Sequence, residues 1–208
     1  NLRVLIVAEF FVLLLGLLIA IARTTTSPVL YPLRLVATIY TDLFRGLPLL
    51  LVLLLVGLGI PGLRISWIPN SAVVLGTVAL VLTYSAYVAE VIRAGIEGVN
   101  PTQRQAARAL GLSQSQTLEH VVLPQAFRNV TPPLLNDLVS LQKDSGLISV
   151  LGAVDATRAA GIQTAQSFNF TPYLVAGALF VLLTIPLTRF TDWLTRRQDA
   201  RQRAQGQW

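Results

Sequence analysis

The feature that most constrains this chain is a series of apolar runs, each close to the length of a bilayer crossing. Residues 4–21 are broken only by Glu9 and Gly16. Further runs follow at 33–60, 71–92, 121–141 and 172–190. About 20 apolar residues in a helix cover the hydrocarbon core, and backbone in lipid must satisfy its own hydrogen bonds. An all-α, polytopic membrane protein with five transmembrane helices is therefore expected. The charge content agrees: 12% of residues are charged, against about 25% in soluble domains.

The interruptions carry information of their own. The second run holds Asp42, Arg45 and Pro48 in its first half and closes at Gly57-Leu58-Gly59-Ile60-Pro61-Gly62, where repeated Gly and Pro favour a turn. The fourth contains Pro124, Pro132 and Pro133, tolerable where neighbours satisfy the freed carbonyls. Residues 143–170 are mixed and Gly-containing, and predict a short helix plus a loop. No internal repeat suggests two fused halves. The chain opens on Asn1 rather than Met, so a few residues are expected ahead of it. The first run is too long for a signal peptide and no cleavage site follows it. Cysteine is absent, which removes disulfides, thiol catalysis and thiolate metal sites.

The net charge of +6 and pI near 10.5 could suggest nucleic acid. In a membrane protein, basic excess marks cytoplasmic loops instead, so no nucleic-acid partner is expected. Arg23 and Arg34 flank the first connection, and Arg93, Arg104, Arg108 and Arg128 flank or occupy the third. Arg189, Arg196, Arg197, Arg201 and Arg203 crowd the end. The opposite connections hold Arg64, and Lys143 with Arg158. The positive-inside bias places the N-terminus outside and the C-terminus in the cytoplasm. A transmembrane domain over 1–195 and a basic cytoplasmic tail over 196–208 follow. The tail needs no explanation beyond that bias, with membrane lipid as its surroundings. Trp67, Tyr173 and Trp193 fall near expected span ends, where interfacial aromatics are common.

The informative polar interval is a cytoplasmic segment at about 97–120. Asn100 can cap a helix that Pro101 opens, and two short helices fit, 101–110 and 113–122, joined at Gly111. Gly111 sits where a helix ends in the left-handed conformation, and Ser113 can cap the next one. Ala106, Ala107 and Leu110 form a small apolar face, with Arg104, Gln105 and Arg108 polar around it. Local physics leaves two readings open: a loop tucked against its own membrane domain, or a surface that another protein's backbone can approach closely.

Gln105-Ala106-Ala107, then Gly111, then Val122-Leu123-Pro124 resembles the cytoplasmic motif of type I ABC importer permeases: Glu-Ala-Ala, three residues, Gly, nine residues, Ile-x-Leu-Pro. Gln105 stands in place of Glu and Val121 in place of Ile. Arg45-Gly46-Leu47-Pro48 resembles the Arg-Gly-Thr-Pro element of the polar amino-acid (His/Gln/Glu/Arg-type) uptake branch. The stretch from Tyr84-Ser85-Ala86-Tyr87 through Glu90-Val91-Ile92-Arg93-Ala94-Gly95 resembles its third-span signature. Pro132-Pro133-Leu134 and Lys143-Asp144-Ser145-Gly146-Leu147 resemble Pro-Pro-Leu and Lys-Asp-Thr-Ser-Leu. These elements occur in the right order over nearly the whole chain.

The resemblance implies a transport subunit of a bacterial cell membrane and not an enzyme. It would form half of a pathway with a second, identical or homologous permease subunit. Gln105, Ala106, Ala107, Leu110, Gly111 and Leu112 would dock on two cytoplasmic ABC ATPase subunits, and an extracellular solute-binding protein would deliver an amino-acid substrate. ATP and Mg would be bound by the ATPase, and no cofactor by this chain. The sequence itself has no G-x-x-x-x-G-K-[ST] loop to cradle phosphates.

Ionisable groups in or near spans are costly and so are functional candidates. Lys143, Asp144, Ser145, Asp155 and Arg158 could together hold an amino-acid zwitterion, which needs an anionic partner for its ammonium and a donor for its carboxylate. Structural ion pairs, Lys143 with Asp144 or Asp155 and Asp155 with Arg158, are the equal alternative. Glu90 with Arg93, and Asp42 with Arg45, are spaced to pair on one helix face. Glu9 stands isolated in its span. His120 is the only histidine, so a metal site is not expected. A membrane hydrolase finds no nucleophile–base pair here. An ATP-independent channel or ion-coupled carrier would explain buried Asp and Lys but not the two-helix cytoplasmic segment.

Overall fold

The computed structural model describes residues 1–25, 27–64 and 68–205, with side chains described except at 199 and 201–205. Trp67 lies outside the described residues. The fold is all-α, with no strand among the described residues.

Two long apolar helices, α1 (Leu2–Thr24) and α5 (Ala72–Glu97), form the spine. They run parallel. Val4, Val7 and Phe11 share a groove with Val74, Val78 and Val81 at one end, and Arg23 meets Glu90 at the other. Leu5, Ala8 and Val12 pack with Leu75, Ala79 and Leu80 to make the core. The close approach depends on Gly16: a Cβ there would lie 2.5 Å from Val88 Cγ1 and 3.2 Å from the Ser85 carbonyl oxygen. Small residues at a helix crossing serve this purpose in lipid, where van der Waals packing drives association.

The apolar run expected as one span over 33–60 is instead two helices at a sharp angle. A 3₁₀ turn at Pro28–Leu30 leads into α2 (Tyr31–Gly46). After Pro48 come α3 (Leu49–Leu54), a π turn (Leu55–Gly59) and the single turn α4 (Ile60–Gly62). The segments Pro28–Gly46 and Leu49–Gly62 meet at 106°. The cause is Pro48, which excludes the α region for the residue before it. Leu47 is accordingly extended, at φ −94° and ψ 137°. Val52, Leu53 and Val56 then pack on α5 within the main core.

Beyond α5 lie α6 (Pro101–Ala109) and α7 (Gln114–Thr117). The second short helix expected at 113–122 does not stop there. A π turn (Leu118–Val122) carries it into α8 (Leu123–Asp144). Pro124 offers no N–H to the turn before it, and the wider π turn absorbs that missing bond. A 3₁₀ segment (Ser145–Leu151), α9 (Ala156–Ser167) and α10 (Thr171–Gln205) complete the chain. α10 runs from the last apolar stretch into the basic tail without a break.

α8 is antiparallel to α5. Its Ala126 and Val130 touch the position of Gly95, its Asp144 meets Tyr84, and Ile148 beyond it lies against Gly76. Among the described residues, α1, α5 and Thr171–Gln198 of α10 are long and apolar enough to cross a membrane, and the bent pair makes a fourth candidate. α8 carries too many polar and charged groups to join them by composition.

Candidate functional site

The polar segment after α5 is held by three backbone devices. Asn100 Oδ1 accepts from the Thr102 N–H at 2.9 Å, and Pro101 occupies the first helical position, where no N–H is needed. α6 then ends in a Schellman motif. Gly111 N–H donates to the Arg108 carbonyl at 3.1 Å and Leu112 N–H to the Ala107 carbonyl at 3.2 Å, with Gly111 at φ +88°. Ser113 forms a capping box with Gln116: each side chain bonds the other residue's N–H, at 2.9 and 3.2 Å. The Arg104 guanidinium donates to the Ile96 carbonyl in the last turn of α5, so α6 is tied to that helix.

This anchoring decides which residues face outward. Ala107 is buried within the chain itself, while Ile96, Val99, Val122 and Ala126 make a small core of their own. The apolar face expected from Ala106, Ala107 and Leu110 is thus split, with Ala107 turned inward and Ala106 and Leu110 left outside. Gln105 and Ala106 remain exposed, and Leu110 is 82% exposed beside the turn at Gly111. Leu112 is half-buried. A leucine presented on a rigid turn, bordered by Ala and Gly, suits contact with a second protein's surface.

At the membrane-side end of this segment lies a charged cluster. Glu90 binds Arg93, one turn along α5, as their spacing predicts, and Arg93 also reaches Glu97. Two further arginines arrive from elsewhere: Arg23 of α1 at 2.6 Å and Arg45 of α2 at 3.5 Å. Arg45 therefore pairs with Glu90 and not with Asp42, because the end of α2 is carried to α5. Spacing along one helix could not reveal these partners from other helices.

The second cluster lies deeper. Tyr84, at the middle of α5, donates to Asp144 Oδ2 at 2.7 Å. Ser145 is 1% exposed and donates to the Gln142 carbonyl at 2.8 Å, while Gln142 Oε1 accepts from Thr184 of α10 at 2.7 Å. Asp155 caps α9: its Oδ1 accepts from the Arg158 N–H at 2.8 Å, and its Oδ2 from Asn1 Nδ2 at 3.1 Å. Gly146 sits next to Asp155. A Cβ there would come 2.8 Å from Phe180 Cζ and 3.7 Å from Asp155 Oδ2.

Asp144, Ser145 and Asp155 are thus gathered around the 3₁₀ turn, whereas Lys143 and Arg158 point outward and are exposed. None of the ion pairs weighed for these residues forms among the described residues. Asp144 binds a phenol and Asp155 a backbone N–H. Tyr84 and Gln142 belong to this site and carried no role in the sequence. A Tyr-Ser pair inside an apolar span was the available signal for the first. The second needed the α8–α10 packing.

Comparison with known proteins places these features. Residues 12–200 match the family described as "binding-protein-dependent transport system inner membrane component", and the chain belongs to that family. It is 35% identical over 189 residues to the arginine transport system permease protein ArtQ of Bacillus subtilis, covering 90% of this chain and 84% of that one. It is 38% identical over 186 residues to the putative glutamine transport system permease protein GlnP of Rickettsia conorii, covering 89% and 83%. A crystal structure of an amino acid ABC transporter with histidines superposes with a TM-score of 0.85 at 36% identity, over 94% of this chain and 89% of that one. The inward-facing MetNI methionine ABC transporter gives 0.76 at 19% identity, a likeness of fold alone.

Proposed function

We propose that the chain is the permease subunit of an ATP-driven importer for polar amino acids, in which residues 105–112 couple a membrane pathway to a separate ATPase. The observation that carries this reading is Leu110, 82% exposed on a capped turn that Arg104 ties to α5. Such a turn transmits a push: a movement imposed on α6 passes through Arg104 and Ile96 to the helix bearing Tyr84. The relatives support the transport role, and the arginine and glutamine they are named for support an amino-acid cargo.

In this reading a second permease subunit completes the pathway. Two cytoplasmic ATPases bind ATP and Mg, and an external binding protein supplies substrate. α8 makes the fifth crossing, because it runs alongside α5 for most of that helix's length, with Gln142 buried against Thr184 of α10 and Asp137 half-buried. The N-terminus is then outside and the coupling segment and tail are cytoplasmic. Asp144, Ser145 and Asp155 line the place where a zwitterion's ammonium would find an acceptor. Lys143 and Arg158 supply positive charge from its rim.

Two experiments test this. Purification of the tagged chain in mild detergent should bring down a P-loop ATPase. Leu110→Ala should weaken that association by about 1 kcal/mol, roughly fivefold, with expression unchanged because the side chain is exposed. Recovery of the chain without any ATPase would remove the coupling role. For the pathway, Asp144→Asn should raise the KM of uptake while leaving basal ATPase activity of the complex intact. An unchanged KM would take Asp144 out of the substrate path.

A further inference from the structure

α2 has no place among the crossings. α1 and α5 are parallel, so the chain between them must return across the membrane once, and Leu49–Gly62 makes that return along α5. We propose that α2 lies flat in the headgroup plane, on the side of the membrane that bears α6, as an amphipathic anchor resting on the lipid acyl chains.

Charges mark the level of that plane. From Ala72 to Ala89, α5 offers about 27 Å of apolar helix at 1.5 Å per residue, close to the ~30 Å hydrocarbon thickness. Glu90 follows, gathering Arg23, Arg45 and Arg93. α1 ends at the same height, since Arg23 is in its last turn. The direction of α2 comes from two contacts. Ala37 clusters with Ile19, Ala20 and Ala89, and Arg45, about 12 Å further along α2, meets Glu90. Both ends of that stretch touch one level of α5. A helix rising beside α5 would have moved two turns along it. The 106° bend at Pro48 then turns the chain into the membrane.

The side chains of α2 divide into three flanks. Ala37 and Thr41 are buried against the protein. Leu35, Val36, Ile39 and Leu43 are 45, 64, 56 and 51% exposed on a second flank. Arg34, Thr38, Asp42 and Arg45 occupy the third. An apolar flank beside a charged one is the pattern of a helix lying in the interface; a crossing helix meets lipid with apolar side chains only. Tyr31, 57% exposed at the start of α2, fits the aromatic preference for that zone. Lipid is the occupant because the apolar flank is level with the exposed Leu18 and Ile21 that end the lipid-facing side of α1. The proposal rests on the membrane-spanning fold and is independent of ATPase coupling.

The chain has no cysteine, so single cysteines can be placed in it, with the label on the unsubstituted complex subtracted as the background of the other subunits. Spin labels at Leu35, Val36, Ile39 and Leu43 would be read in the full chain, purified with its co-purifying subunits and reconstituted in phosphatidylethanolamine–phosphatidylglycerol vesicles. Collisions with oxygen and with a polar nickel chelate report depth. Labels at Phe10, Leu14, Leu18 and Ile21 on α1 provide a ruler of about 1.5 Å per residue. The α2 labels should share one depth at the headgroup–acyl boundary to within about 4 Å, less than one helical turn. A steady change of about 12 Å from Leu35 to Leu43 would make α2 a crossing helix and overturn the proposal. Labels shielded from both reagents would put protein on this flank and overturn it equally. Ile39→Trp, quenched by lipids brominated at different depths and read as the difference from the unsubstituted complex with its native tryptophans, gives the same reading from an independent variant.

Discussion

Gly111→Val should lower coupled transport in proteoliposomes by at least about tenfold, while the chain still inserts and the complex still hydrolyses ATP. Nothing lies within 4 Å of a Cβ added at Gly111, so space is not the obstacle. The obstacle is its φ of +88°. An L-residue pays about 1–2 kcal/mol in the left-handed region, and a β-branched one more. Valine relieves that strain by abandoning the conformation, and with it the two Schellman hydrogen bonds from Gly111 and Leu112. Leu110 then loses its fixed direction. Gly111→Asn, which tolerates this region, should keep most of the transport. Uptake and ATPase rates measured on the same vesicles decide the matter. Unchanged transport with valine would mean that the turn carries no force.

The second large effect is expected at Glu90. Glu90→Gln removes the one carboxylate that Arg23, Arg45 and Arg93 share. Arg93 keeps Glu97, but the Arg23 side chain, only 11% exposed, is left with no anionic partner. Breaking a well-buried ion pair costs about 3–5 kcal/mol. Water reaches part of this one, so about 2 kcal/mol is expected here. Purified protein should show a clearly lower thermal midpoint in detergent. Arg45→Ala should change it little, because Arg45 is 40% exposed and 3.5 Å from the carboxylate. Equal losses from the two substitutions would show that the cluster acts as one network, with Arg45 as essential as Arg23.

Under the proposed coupling role, these sites describe a mechanical path. α6 is tied to the end of α5 through Arg104, and α5 is tied nearly two turns deeper to α1 and α2 through Glu90. At mid-membrane α5 meets Asp144 through Tyr84. A displacement at Leu110 would then reach the Tyr84–Asp144 site through a single helix, with its neighbours attached at the charged cluster.

Much of this was legible in the sequence for local reasons. Apolar run length declared a membrane protein, because the bilayer sets helix length. Asn100, Pro101, Gly111 and Ser113 announced the caps of the two short helices after α5, because a cap depends on residues within four positions of it. The spacing of Gln105-Ala106-Ala107, Gly111 and Leu123-Pro124 resembled a permease motif, and the family match covers it. The pairing of Glu90 with Arg93 followed from one turn of helix.

Only the tertiary structure decided the rest. Run length could not separate α2 from α3, since the run over 33–60 continues through both. The bend at Pro48 and the contacts of Ala37 and Arg45 made the distinction. Residue spacing put Asp42 with Arg45, but Glu90 lies closer in space once α2 crosses α5. Asp144 and Asp155 looked like ion-pair partners for Lys143 and Arg158. The fold gave them a phenol and a helix N-terminus, because α8 and the turn after it aim those carboxylates inward and leave the cations outside. Sequence order records what a few neighbouring residues can do for one another. Which distant groups share the scarce polar contacts of a membrane interior is settled by packing.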